Sequence, residues 1–232
     1  MRRLIHVRAY LTKHLDNFRA RFYDFVHHVD TFSSVNSTAV RIESENKKFG
    51  VSYQRTPIRT MNTLFDKLTW SENASFIDFG CGKGLTLLAA ANYSFNKIIG
   101  VEYSSDLVAI ATRNVLQYRG TLGSRKNILI IHDDATQFKF PRTALICYFY
   151  NPFKPIVMEN VLDNLAASFK EYPREIQLVF HSWYSQDLVR SKFNIDNFES
   201  FPYFHVYHLA SAKEGREALS TEHRSWEMID TK

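Results

Sequence analysis

Three of the chain's eight glycines fall within five residues. They stand in FIDFGCGKG, residues 76–84, where Asp78 precedes Gly80, Gly82 and Gly84. A glycine turn between a strand and a helix sets backbone N–H groups and a helix N-terminus beside a ligand. Turns that grip a dinucleotide are spaced GxGxxG, but here the sixth position is Leu85. A carboxylate two positions ahead of the first glycine favours a cationic group over a phosphate. Other chemistry-bearing residues follow in order. Glu102 lies 24 positions after Asp78 and precedes Tyr103. ILIIHDDA carries Asp133, Asp134 and Ala135, YFYNPF carries Asn151 and Phe153, and His181 opens HSW. A carboxylate placed like Glu102 can take both hydroxyls of a ribose, and a ring placed like Tyr103 can pack on a base. His181 can serve as a base for an oxygen nucleophile or be a histidine hydrogen-bonded at a sheet end. Plainer roles exist for each: a tight turn, a surface glutamate, an Asp-Asp cap, an aromatic run in the core.

The elements that must position these residues alternate. Strands are expected at Ser75–Asp78, Lys97–Glu102, Asn127–His132, Ala144–Tyr150 and Glu175–Phe180. Helices are expected at Leu85–Tyr93, at Asp106–Tyr118 behind a cap at Ser104 or Ser105, and at Pro155–Phe169. Runs such as ILII and ALICYFY suit a sheet covered on both faces. Strand–helix alternation predicts an α/β, doubly wound, mostly parallel sheet. Phe198–Phe201 and Phe204–Leu209 are too close for a helical crossover and read as antiparallel at the edge. Every chemistry-bearing residue above then falls at the C-terminal edge of a strand, where open sheets bind ligands. Ahead of the first strand, Thr56 reads as an N-cap with Pro57 at the first helical position.

DFGCGKG resembles motif I of the class I methyltransferases, which use S-adenosylmethionine (SAM), and the resemblance runs from about Thr56 to Trp183. It implies a seven-stranded sheet of order 3-2-1-4-5-7-6 with one antiparallel strand. It further implies that Asp78, Gly80, Gly82 and Gly84 meet the amino-acid end of SAM and that Glu102 takes the ribose hydroxyls. Tyr103 would pack on adenine, and Asp134 followed by Ala135 would meet the adenine amine, with Asp133 as competitor. Asn151-Pro152-Phe153 is similar to the D/N/S-P-P-Y/F tetrad of amino-group methyltransferases, one proline short. By that likeness Asn151 aligns the acceptor amine and Phe153 packs on the substrate. GVSYQRTP, with Tyr53 and Thr56, resembles the segment folding over the methionine moiety in seven-strand histone-lysine and related protein methyltransferases. YDFVHHVDT, residues 23–31, is similar to a segment of uncharacterised bacterial class I members. The implied activity is methyl transfer to nitrogen, on a protein side chain such as lysine, with RNA, a small molecule, or SAM binding without catalysis as alternatives.

At 232 residues the chain suits one such domain, residues 51–232, behind a helical extension, residues 1–50. The extension places Leu4, Leu11, Leu15, Phe18, Phe22, Phe25 and Val29 on one stripe, expected to lie against the chain's own domain or over it as a lid, with a dimer arm or partner helix as the lesser reading. It is also basic: six Arg and Lys in residues 1–28 face only Asp16 and Asp24, within a net charge of +5 and a pI near 9.1. Such a helix can meet nucleic acid or an acidic partner, or be a solvated face. No apolar run is long enough to span a membrane. Cys81 and Cys147 read as two buried free thiols of a reducing, cytoplasmic setting, and their separation excludes a CxxC metal or redox motif.

Overall fold

The central run ALICYFY is apolar on both faces, so the middle of the sheet needs cover on both. The computed structural model, which describes residues 2–33, 55–120, 127–181 and 186–209, supplies it. The strands are β1 (Ser75–Phe79), β2 (Lys97–Glu102), β3 (Ile128–His132), β4 (Leu145–Tyr150), β5 (Ile176–His181), β6 (Ile195–Ser200) and β7 (Phe204–Leu209). The helices are α1 (Arg2–His27), α2 (Ile58–Lys67), α3 (Leu85–Ala90), α4 (Ser105–Gln117), α5 (Pro155–Glu171) and α6 (Gln186–Lys192). The sheet order is β3-β2-β1-β4-β5-β7-β6, and β7 alone runs antiparallel to its neighbours. Order and direction match the expected doubly wound sheet.

Alternating residues of β1 and β4 feed two cores. Ile77, Phe79, Cys147 and Phe149 pack with Val157, Val161, Leu162 and Leu165 of α5. Phe76, Ile146 and Tyr148 pack with Leu64 and Phe65 of α2 and Leu87 of α3. Phe79, Phe149 and Phe180 stack across three strands with ring centroids 5.0 Å apart at each step. Such stacking adds about 0.5–1.5 kcal/mol per pair beyond area burial and stiffens the sheet under its C-terminal edge. Cys81 and Cys147 are free and buried. No described helix is long and apolar enough to cross a membrane.

Several local expectations change. Thr56 is not the cap of α2: Pro57 holds the cap position with no side-chain bond, and the Thr56 hydroxyl instead meets the Tyr148 hydroxyl at 3.3 Å. Ser104, rather than Ser105, caps α4, its oxygen accepting from the Leu107 N–H. The helix α3 stops at Ala90 because the Asn92 amide donates to the Ala89 and Leu88 carbonyls, taking up acceptors at the helix end. The helix α6 has no counterpart among the elements expected from the sequence pattern. Val189 is its one buried residue, too little to set a helical period.

The largest change concerns α1. Its aromatic stripe does not lie on the domain: Phe18 and Phe25 are 68% and 79% exposed, and Leu15 and Phe22 are exposed with them. The helix docks by another face. Tyr23 and His27 pack on Tyr118, His27 Nδ1 lies 2.8 Å from the Arg119 carbonyl, and the Arg119 N–H donates to the His27 carbonyl. Periodicity tells which residues share a face, but not which body covers that face.

Candidate functional site

Parallel pairing brings the strand ends into line. Phe79 pairs with Val101 and Phe149, Glu102 with His132, and Tyr150 with His181. The glycine turn, Glu102, the DD pair, the NPF turn and His181 therefore stand along one edge.

The turn after β1 requires its glycines. Gly80, Gly82 and Gly84 have φ of 74°, 54° and 81°, a region side chains disfavour. The N–H groups of Gly80 and Cys81 both donate to the Val101 carbonyl, which fastens the turn to β2. A Cβ at Gly80 would stand 2.7 Å from the Pro152 Cβ. The absent side chain thus lets the NPF turn pack directly against the glycine turn. Gly80→Ala is expected to cost at least about 2 kcal/mol through the left-handed backbone and this overlap. Urea unfolding checks it, and an unchanged midpoint would count against so close a fit.

Two acids face this turn from below and beside it. Asp78 is buried, and burial pushes its carboxyl up to about 7; a bond from Thr86 opposes this, while the like charge of Glu102 adds to it. Glu102 is buried as well. Burial raises its carboxyl, against the lowering effect of N–H donors from Ser104 and Gly82. One Glu102 oxygen accepts from Gly82 N–H and the other from Ser104 N–H, each at 3.0 Å. Glu102 therefore clips the middle of the glycine turn to the start of α4.

Beyond β3, Asp134 caps a 3-10 turn at Ala135–Gln137, one carboxylate oxygen accepting from the Thr136 N–H and hydroxyl at 2.9 and 2.8 Å. Ala135 is buried against the α5 side of the core. Asp133 accepts from the Asp134 N–H at 2.8 Å, and its own N–H donates to the Glu102 carbonyl. The half-buried ring of Tyr103 follows Glu102, and its carbonyl lies 3.2 Å from His132 Nε2.

At the end of β4, Asn151 is exposed and holds φ of 44°, a left-handed conformation that asparagine tolerates better than most residues. Phe153 is half-buried and packs on the core. His181 is buried, with its ring edge-on to Tyr150 at 4.1 Å. Burial lowers its imidazole to about 4, so it is neutral at neutral pH and a weak base. Thr56 is buried beneath the edge against Tyr148. Tyr53 lies outside the described residues, as do residues 34–54 and 182–185, and with them most of GVSYQRTP and the SW after His181.

Sequence reasoning missed a polar knot behind the turn. Lys83, within FGCGKG itself, is only 1% exposed. Its ammonium lies 3.1 Å from both Asp30 oxygens and 2.9 Å from the Ser33 carbonyl. The Asn114 amide donates to the carbonyls of Lys83 and Asp30 and accepts from the Asp30 N–H. One signal was available: Asn114 follows Leu107 and Ala111 on the buried face of α4, where a polar residue demands partners.

No family model matches the sequence, and no curated protein matches it. Solved structures do match the fold. A predicted N6-adenine-specific DNA methylase from Listeria monocytogenes aligns over 67% of this chain at 13% identity and a TM-score of 0.52. The chain spans about half of that protein, 51%. The PH0226 protein of Pyrococcus horikoshii aligns over 76% of this chain and 96% of its own length, at 18% identity and a TM-score of 0.50. The methyltransferase domain of bacterial CtHen1-CN aligns over 65% of this chain and 97% of its own, at 12% identity and a TM-score of 0.50. Together with the strand order, these likenesses identify the fold as that of the class I methyltransferases.

Proposed function

We propose that the chain is a SAM-dependent methyltransferase acting on a nitrogen nucleophile, with a protein side chain such as lysine as the acceptor. The observation that carries this reading is the pairing of two buried carboxylates, Asp78 and Glu102, with a glycine turn against which the Asn151 turn is packed. The charge acting on Asp78 is that of Glu102, of the same sign. Such a site fits a ligand that brings its own positive charge, and SAM carries a cationic amine and a sulfonium.

Asp78 and the glycine turn would hold the amino-acid end of the cofactor, and Glu102 the ribose. Tyr103 would flank the adenine. Asp134, followed by Ala135, would meet the adenine amine, with Asp133 as competitor; one oxygen of each carboxylate already accepts a local backbone N–H. Thr56 would support the methionine side from beneath. The cofactor supplies a methyl group on an activated sulfur, so the protein's task is to align the nucleophile and manage its proton. The Asn151 side-chain oxygen would accept an N–H of the acceptor amine and direct its lone pair, and Phe153 would bound the acceptor. The amine releases its proton to solvent, which needs no base from the chain.

Incubating a proteome with the protein and methyl-labelled SAM tests the reading. Label in protein supports the protein acceptor. Label only in RNA or small molecules replaces it, and S-adenosylhomocysteine (SAH) binding with no transfer to any extract marks a binding protein without catalysis. Failure of SAH to raise the melting temperature would remove the cofactor assignment itself.

The Asp78 carboxyl gives a pH test with two opposite signs. In the free protein its raised value makes the folded state bind the proton more tightly than the unfolded chain. That contribution to stability is full below the unfolded range near 4 and is lost as pH rises through about 7. The cationic amine that SAH shares with SAM pairs with the ionised form, so SAH affinity should rise over the same interval and level off above it. Calorimetry across that interval checks this; affinity that falls with pH would sink the role given to Asp78.

A further inference from the structure

The glycine turn holds three glycines with positive φ, and because glycine backbone has the widest conformational freedom such a loop keeps one shape only if its surroundings hold it. From the sheet side it is held by the Val101 carbonyl and the Glu102 carboxylate. On the other side it is held by Lys83, whose ammonium is buried against Asp30 and Ser33 of the segment that follows α1. Burying an ammonium costs several kcal/mol unless it is paired and hydrogen-bonded. Lys83 therefore stays inside only while Asp30 does. The Asp30 side chain is itself 40% exposed. Burial would raise its carboxyl, but bonds from Ser33 and Lys83 outweigh this and hold it below the usual range.

The segment that brings Asp30 is in turn fixed. The Asp24 carboxylate accepts from the N–H groups of Thr31 and Phe32 and from the Thr31 hydroxyl. Asn114 then ties three parts together, since one amide binds the Asp30 N–H, the Asp30 carbonyl and the Lys83 carbonyl. Lys83 is thus gripped by both its side chain and its backbone. Its neighbour Gly82 gives the N–H that Glu102 accepts.

From this geometry we infer that Asp30, acting through Lys83 and Asn114, is a positioning residue for the glycine turn. The segment at residues 28–33 sets the cofactor loop from outside the sheet. The inference rests on the cofactor reading above. Without the Lys83–Asp30 anchor the outer side of the Gly82–Gly84 backbone is no longer fixed and the Gly82 bond to Glu102 loosens, so cofactor affinity falls although no residue touching the cofactor has changed.

The test uses the full chain and SAH as probe, with Asp30→Asn and the double variant Asp30→Asn/Lys83→Met. Asp30→Asn alone should lower the melting temperature and weaken SAH binding at least tenfold. In the double variant no charge is left buried without a partner, so the melting temperature should return to that of the parent protein. SAH affinity should stay at least tenfold weaker, because the anchor between residues 83 and 30 is still missing. A purely structural pair predicts the reverse, with stability and affinity recovering together, and that result would overturn the inference. Amide hydrogen exchange at Gly82–Gly84 is read in parallel, without SAH. It should be faster in both variants, and unchanged exchange would also overturn the inference. If the parent protein binds no SAH, the cofactor reading fails, and the exchange data still decide whether Asp30 holds the loop.

Discussion

Glu102→Ala should weaken SAH binding about a hundredfold or more, the largest loss expected from a single change at this edge. Two terms act together. The substitution removes the acceptor proposed for the ribose hydroxyls. It also leaves the N–H groups of Gly82 and Ser104, which now bond to the two Glu102 oxygens, without that acceptor in a buried place. Each unmet buried N–H costs about 1–3 kcal/mol, and a loss of about 3 kcal/mol in binding already exceeds a hundredfold. The glycine turn should loosen and the melting temperature should fall with it. Glu102→Gln separates the terms. The amide keeps one acceptor oxygen, so the turn retains part of its support, and the SAH loss should shrink to about tenfold. Calorimetry on both variants gives the comparison. Binding by Glu102→Ala at parental strength would show that the carboxylate belongs to the scaffold only and that the ribose lies elsewhere.

Asn151→Ala should lower the rate of methyl transfer by about 100- to 1,000-fold, on the scale of losing one well-placed polar group that acts in the transition state. SAH affinity should stay within about threefold, because Asn151 is proposed to meet the acceptor and not the cofactor. A fall in rate without a fall in cofactor affinity identifies an interaction made only during reaction. The backbone needs a control, since Asn151 holds φ of 44° and alanine there carries a left-handed strain that asparagine bears more easily. Asn151→Gly relieves that strain and also lacks the side chain. Both variants should lose rate alike if the side-chain oxygen aligns the amine. If Asn151→Gly turns over at the parental rate, the residue serves the turn alone, and the alignment must come from another group at the edge.

Much of this site can be read from one dimension because its parts sit at strand ends. An apolar run that stops at a charged or glycine residue marks the C-terminal edge of a parallel strand, and parallel pairing carries all such ends to the same rim. Asp78, Glu102, the DD pair and Asn151 could therefore be named together before any coordinates. Individual bonds were less legible. Thr56 had the composition of a cap, yet its hydroxyl goes to Tyr148, 92 residues away, because tertiary packing offered a buried partner. Asp134 also caps the next turn through one carboxylate oxygen, a bond that spacing did not announce. Short polar side chains satisfy the nearest donor, and which donor is nearest depends on local backbone that spacing alone does not specify.

The sequence by itself determined the alternation of elements, the sheet that follows from it and the glycine turn at its edge. Each of these rests on local pattern: apolar period, chain punctuation and the backbone freedom of Gly80. Tertiary structure alone decided what closes over that turn. Lys83, between Gly82 and Gly84, is a buried anchor bound to Asp30 from 53 residues upstream. Leu15, Phe18, Phe22 and Phe25 of the α1 stripe looked like a packing face and are exposed, while Tyr23 and His27 make the contact. The physical reason is the same in both cases. A side chain's worth depends on the surface that meets it, and long-range docking sets that surface after the local pattern has been spent.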